Sequence, residues 1–152
     1  MEAVLKGEFH THETQAAERL TVKFVEWFKK QDMKVVSIEE HLKSSKFKYH
    51  GTFDFVAEVG GVLTMCDLKT SNAIYDDMAL QLAGYQIAWN EVKPAEQLNQ
   101  GLIIRLDKKT EKVYTKSFKN LDQYREVFLG LRTAWSFVNK EGAFKCLRKS
   151  KI

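Results

Sequence analysis

Proline is almost absent: Pro94 is the one proline in 152 residues, and no glycine- or serine-rich stretch replaces it. Nothing in the chain therefore reads as an inter-domain linker, a repeat or a low-complexity segment, and one domain over 1–152 with one sizeable core is expected. Cysteine is equally scarce. Cys66 and Cys146 are too few for a disulfide framework, too far apart for a C-x-x-C metal site, and short of the four thiolates an iron–sulfur cluster takes. No apolar run approaches the ~18 to 20 residues that cross a bilayer, and Met1-Glu2-Ala3-Val4-Leu5-Lys6 lacks the apolar stretch of a secretory signal. A cytoplasmic protein without a membrane partner is the expectation. A G-x-x-x-x-G-K-[ST] loop is also missing, so a nucleotide-driven motor would have to be a separate protein.

What is present is a globular composition, 44% apolar and 29% charged, with net charge +4 and pI near 9.0. That balance suits a polyanionic partner without requiring one. A short basic tail from about 145 (Lys145, Arg148, Lys149, Lys151) reads as a solvated end or as a contact to a phosphate backbone.

Apolar positions Ala17, Leu20, Phe24, Trp27 and Phe28 recur at helical spacing from Glu13 to about Lys30. Lys34 to Leu42 alternates as a strand, with Glu40 sharing a face with Val36, Ile38 and Leu42. Lys48–Val59 and Val62–Lys69 read as a hairpin about Gly60-Gly61, and Ser71 or Asn72 can cap a helix running to about Val92, before Pro94. Leu102–Leu106, Val113–Phe118 and Leu121 to about Asn139 complete the order as strand, strand and helix. The α-β-β-β-α-β-β-α order predicts an α/β domain with a mixed central sheet flanked by helices.

The hairpin carries the chemistry. A two-residue turn pairs Val59 with Val62, which sets Asp54 opposite Asp67 and Thr52 opposite Lys69. Opposed residues share a face with Cβ atoms ~4.5 to 5.5 Å apart, so two carboxylates and, two residues on, an ammonium converge. Bare carboxylates would repel; Mg²⁺ or Mn²⁺ would turn that repulsion into attraction. Two acids and a lysine around such a cation are what phosphodiester hydrolysis needs, although an ordinary salt bridge from Lys69 to either acid fits the same residues. The other hairpin face weighs against the salt bridge: Phe53, Phe55, Ala57 and Val59 would oppose Leu68, Cys66, Thr64 and Val62 as a buried surface, and interior carboxylate pairs without a cation are costly.

Three motifs in order, Gly51-Thr-Phe-Asp54, Asp67-Leu-Lys69-Thr70-Ser71 and Gln81-Leu-Ala-Gly-Tyr85, resemble the G-x-x-D, D-x-K-T-S and Q-x-x-x-Y signatures of the PD-(D/E)xK nucleases, RecB-type exonuclease branch. The resemblance runs from about Gly7 to Trp89. It implies a restriction-endonuclease-like core (α-β-β-β-α-β). It also implies Asp54, Asp67 and the Leu68 carbonyl as ligands of Mg²⁺ or Mn²⁺, and a catalytic Lys69. Glu40 is similar to a strand glutamate of this branch and would be a further ligand. Gln81 and Tyr85, four apart on one helix face, would join the catalytic set and, with Thr70 and Ser71, meet DNA. Members also place a histidine after G-x-x-x-H. Gly7 to His10 is one residue short of that spacing and Gly7 to His12 one too long. Helical phase favours His10, in the stripe of Glu13, Ala17, Leu20 and Phe24, with Glu13 as an alternative oxygen ligand.

The resemblance implies a metal-dependent exonuclease acting at a single- or double-stranded DNA end, of phage or recombination-repair type and, if phage-encoded, working in the host cytoplasm. A structure-selective endonuclease or junction resolvase, which should be an obligate dimer, is the alternative. A non-catalytic DNA-binding module of the same fold is a third reading, against which Asp54, Asp67 and Lys69 argue. A homo-oligomer or a separate recombination or replication partner is compatible with each.

Overall fold

A computed structural model of the protein describes residues 15–141. The chain runs α1 (Gln15–Phe28), β1 (Met33–Ile38), β2 (His41–Ser44), β3 (Tyr49–Thr52), β4 (Phe55–Val59), β5 (Val62–Lys69), α2 (Met78–Val92), β6 (Gln100–Leu106), β7 (Val113–Phe118) and α3 (Asp122–Glu141). Five strands form one sheet in the order β1-β4-β5-β6-β7, and β2 and β3 pair as a separate ribbon. Only β5 and β6 run parallel, so the sheet is mixed.

Alternation along the strands feeds two cores, one on each face of the sheet. Phe55, Ala57, Cys66, Leu102 and Ile104 face α1, where Leu20 and Phe24 meet them. Val56, Met65 and Ile103 face α2, against Leu82, Trp89 and Phe53. Strand β6, between β5 and β7, is buried on both faces, which is why Leu102–Ile104 reads as an apolar run. Helix α2 lies between this sheet and α3, with Gly84 under the Phe128 ring, so most of its circumference is buried.

The Gly60-Gly61 turn has positive φ at both glycines (56° and 79°), the primed hairpin geometry, and fixes Val59 opposite Val62 and Phe55 opposite Cys66. The structure departs from the sequence expectations at three places. The strand expected over Lys34–Leu42 is two strands: a bulge at Val36 and a left-handed Glu39 (φ 48°) turn the chain out of the sheet. The strand expected over Lys48–Val59 is also broken, because Phe53 swings to the α2 side to stack edge-on against Trp89 (5.6 Å between ring centres). Phe53 therefore does not share a face with Phe55, and Thr52 pairs with His41 rather than facing Lys69. Helix α2 starts at Met78, not at Ser71 or Asn72; the Ser71 hydroxyl donates to the Ala73 carbonyl (2.7 Å) and shapes a loop instead of capping a helix.

Candidate active site

The break before β4 builds the site. Extending the hairpin register would pair Leu68 with Phe53, but Phe53 has left the ladder, and the Asp54 carboxylate takes the vacated place. Its Oδ2 accepts a hydrogen bond from the Leu68 backbone N–H at 2.6 Å. A strand residue's N–H and C=O face the same neighbour, so the Leu68 carbonyl faces the Asp54 side as well. Next along β5, Asp67 is only 2% exposed and points to the α2 face with Met65. Asp54 and Asp67 thus reach the same end of the β4–β5 hairpin, as its register predicts, although the route is a bend rather than a continuous strand.

Lys69 emerges two residues on. Its ammonium lies 2.8 Å from Asp67 Oδ2 and donates to Gln81 Oε1 at 2.8 Å. The Asp67 contact is a largely buried ion pair. Burial pushes the Asp67 carboxyl up to about 6; the Lys69 ammonium partly offsets that rise, and Asp54 adds to it. Gln81 Nε2 in turn donates to the Tyr85 hydroxyl at 3.0 Å. Because the hydroxyl accepts from Gln81, its own proton is left to point elsewhere. Burial raises the Tyr85 pKa, so that proton stays in place at neutral pH. The Tyr85 ring lies across Gly51, where a Cβ would come 2.9 Å from Tyr85 Cε1. The glycine of the first motif and the tyrosine of the third are therefore one packing unit.

Of the other sequence-predicted residues, Thr70 is exposed at the end of β5 and Ser71 is partly buried in the following loop. Glu40 is not on an apolar face. It is exposed beyond the β1 bulge, where its carboxylate accepts from the Ser37 hydroxyl and pairs with Lys93 at 2.9 Å. These partners hold the Glu40 pKa down. Among the described residues no three His, Cys, Asp or Glu side chains gather as a metal-holding group, so Glu40 does not join Asp54 and Asp67. His10, like His12, Glu13 and the basic tail from 145, lies outside the described residues. Cys66 is buried and its thiol is pushed up by burial, which keeps it an inert packing residue.

Arg105 went unnoticed in the sequence. On β6, beside Lys69 in the ladder, it is 7% exposed, donates to the Ser71 and Asn72 carbonyls (3.1 and 3.0 Å) and pairs with Asp107. It ties the loop after the D-x-K strand to the sheet. The signal was a charged residue inside the apolar run Leu102–Leu106.

This is a restriction-endonuclease-like domain whose acids and lysine stand at the end of the inner strands β4 and β5 of a mixed sheet. The family profile of the PD-(D/E)XK nuclease superfamily matches residues 2–148, and the chain belongs to that superfamily, whose members use divalent metal ions. Among solved structures, the chain is similar to one from Eubacterium rectale described as "Putative exonuclease", at 14% identity and TM-score 0.56, covering 86% of this chain and 60% of that one. It is also similar to the crystal structure of SSO0001, at 12% identity and TM-score 0.40, over 76% of this chain and 58% of that one. The chain thus spans about three fifths of the length of these proteins. At such identity the first likeness concerns the fold. No curated protein matches the chain.

Proposed function

We propose that the chain is a divalent-metal-dependent DNA nuclease, acting as an exonuclease of the RecB-type branch. The observation that carries this is the buried Asp67 carboxylate, 2% exposed and close enough to Asp54 to feel its charge, with the Lys69 ammonium at 2.8 Å beside it. Two neighbouring carboxylates, one of them buried, are costly with a single ammonium beside them, and the hard oxygen set of Asp67, Asp54 and the Leu68 carbonyl suits Mg²⁺ or Mn²⁺. Helical phase favours His10 as a further ligand, with Glu13 as the alternative. A bound cation of this kind polarises a phosphate and lowers the pKa of a water. Lys69 then orients the attacking water and offsets charge growing on the phosphate. Gln81 fixes the direction of both Lys69 and Tyr85, and the free Tyr85 proton is available to a phosphate oxygen. Of the two D-x-K-T-S hydroxyls, Thr70 is the better DNA-backbone contact, since Ser71 is spent within its loop.

The exonuclease reading rests on the order of the three motifs and on the description of the Eubacterium rectale protein. It is tested with end-labelled linear DNA and covalently closed circles, with Mn²⁺ or with EDTA. Linear DNA should shorten from an end with little sequence preference, EDTA should stop it, and circles should be attacked far more slowly. Equal rates on circular and linear substrates would overturn the exonuclease reading, and preferred incision of four-way junctions would favour a resolvase.

Gly51 gives a subtler test. A side chain at 51 must push the Tyr85 ring away, so Gly51→Val should lower kcat by about 10- to 100-fold through misplacement of the Tyr85 hydroxyl. Retained far-UV circular dichroism with wild-type kcat would show that the ring's position does not matter to the chemistry.

A further inference from the structure

The β2–β3 ribbon has an inner and an outer face. Leu42, Ser44, Tyr49 and Gly51 alternate onto the inner one, where the Tyr49 hydroxyl donates to the Gly84 carbonyl at 2.6 Å and Gly51 lies against Tyr85. His41, Lys43, His50 and Thr52 make up the outer one, all exposed, and Lys46 and Lys48 are exposed in the turn. From His41 to Thr52 the chain has three lysines, two histidines and no Asp or Glu. The neighbouring acids are already engaged. Glu40 pairs with Lys93, and Glu91 accepts from the Ser44 hydroxyl and from the Ser45 and Lys46 backbone N–H groups at 2.6, 2.8 and 3.0 Å. Lys23 and Lys116 are held in ion pairs, but among the described residues no ion pair holds Lys43, Lys46 or Lys48.

We propose that the outer face of this ribbon is a track for the DNA backbone, with Lys43, Lys46 and Lys48 as its phosphate contacts. The identity of the polyanion rests on the nuclease reading; the place of the track rests on the ribbon. Its base adjoins the site. The Glu39 N–H donates to the Asp54 carbonyl at 2.9 Å, and Thr52 is two residues before Asp54, so their Cα atoms are at most about 7 Å apart. Outward from there the rung of Thr52 and His41 is followed, after ~7 Å, by that of His50 and Lys43, and then by the lysine turn. At ~3.4 Å of rise per phosphate, such a ribbon spans about three or four phosphates of one strand. The turn is also fixed in advance. Glu91 holds the Ser45 and Lys46 N–H groups, the Ser44 hydroxyl accepts from the Phe47 N–H at 3.1 Å, and Arg132 donates to the Lys48 carbonyl. Little backbone freedom is lost on docking. A membrane surface would call for apolar side chains to insert, and the outer face of the two strands has none.

The test is fluorescence anisotropy of the full chain with a labelled single-stranded DNA of about 20 nucleotides, in EDTA, from about 50 to 200 mM salt. Wild type should bind, and more weakly as salt rises. Lys43→Gln, Lys46→Gln and Lys48→Gln should each raise Kd about threefold; combined, they should raise it about 30-fold and lower the slope of log Kd against log salt by about 2. Lys119→Gln, exposed after β7 at the end of the sheet opposite Lys69, should change neither. Circular dichroism melts of the combined variant should match wild type, because all three side chains are exposed. A wild type that binds no DNA, or a combined variant with wild-type Kd and salt slope, would overturn the proposal. EDTA separates binding from cleavage. Lysine-dependent binding by a protein that cuts no DNA with Mn²⁺ would remove the nuclease reading and keep the track, whereas cleavage with lysine-independent binding would do the reverse.

Discussion

Lys69→Ala should lower DNA cleavage by about 10²- to 10³-fold while leaving the fold intact and Mn²⁺ affinity equal or higher. The asymmetry follows from where the ammonium stands. It is 2.8 Å from Asp67 Oδ2 and hydrogen-bonded to Gln81, on the edge of the proposed cation site rather than in it. Removing it takes away a positive charge that competes with a metal for the same carboxylate and deletes the donor that orients a nucleophile. Asp67→Ala should lose activity to at least the same degree for the opposite reason, because a ligand is gone and Mn²⁺ affinity falls. Calorimetric titration of both variants with Mn²⁺, beside a cleavage assay, separates the two roles. Wild-type cleavage in either variant would sink the assignment of the site.

The hairpin behind this prediction was legible because Gly60-Gly61 admits one turn geometry, and a period of two then fixes every partner along β4 and β5. Helix α3 and strands β6 and β7 were legible for similar reasons, namely strong periodicity between clear turn signals. The exit of the chain from the sheet at Phe53 was not legible. Alternation says which residues share a face of a strand, but not which strand will be its neighbour. Tyr49–Thr52 alternates as well beside His41–Ser44 as it would beside β5, and what decides is tertiary: Phe53 fills a space next to Trp89 that the sequence cannot display. The same blindness misplaced Glu40, whose apparent apolar face dissolves once Glu39 adopts a left-handed φ. Local turn chemistry explains the late start of α2. Ser71 hydrogen-bonds forward to Ala73, and Arg105 holds the Ser71 and Asn72 carbonyls, so the backbone groups that might have opened a helix are already engaged. The cost of these errors to the site is small, since Asp54 still reaches the end of the hairpin by its side chain.

Asp67 should make the metal-free protein less stable as pH rises, and a divalent cation should reverse this. In the fold its carboxyl is raised from an ordinary 3.8 to about 6, chiefly because burial penalises the charged form. A group whose folded pKa is raised contributes its stability in full below the unfolded value and loses it as pH climbs through the folded one. The window is therefore about pH 4 to 6, and the loss is on the order of 3 kcal/mol for a side chain this buried. Asp67→Asn keeps the shape and removes the titration. Its melting temperature should rise relative to wild type across the window, and lie above wild type at pH 7.5 without metal. Adding Mn²⁺ at pH 7.5 should then stabilise wild type, by about 2.7 kcal/mol at a hundredfold excess over Kd, and leave Asp67→Asn nearly unchanged. At pH 5 the wild-type gain should shrink, because the cation must displace a proton from Asp67. Thermal melts of the two proteins at pH 4, 5, 6 and 7.5, each with Mn²⁺ and with EDTA, give all four comparisons. An Asp67→Asn protein that shows no gain over wild type between pH 4 and 7.5 without metal would mean that Asp67 is not the strained carboxylate, and one that gains as much from Mn²⁺ as wild type would mean that it is not the ligand.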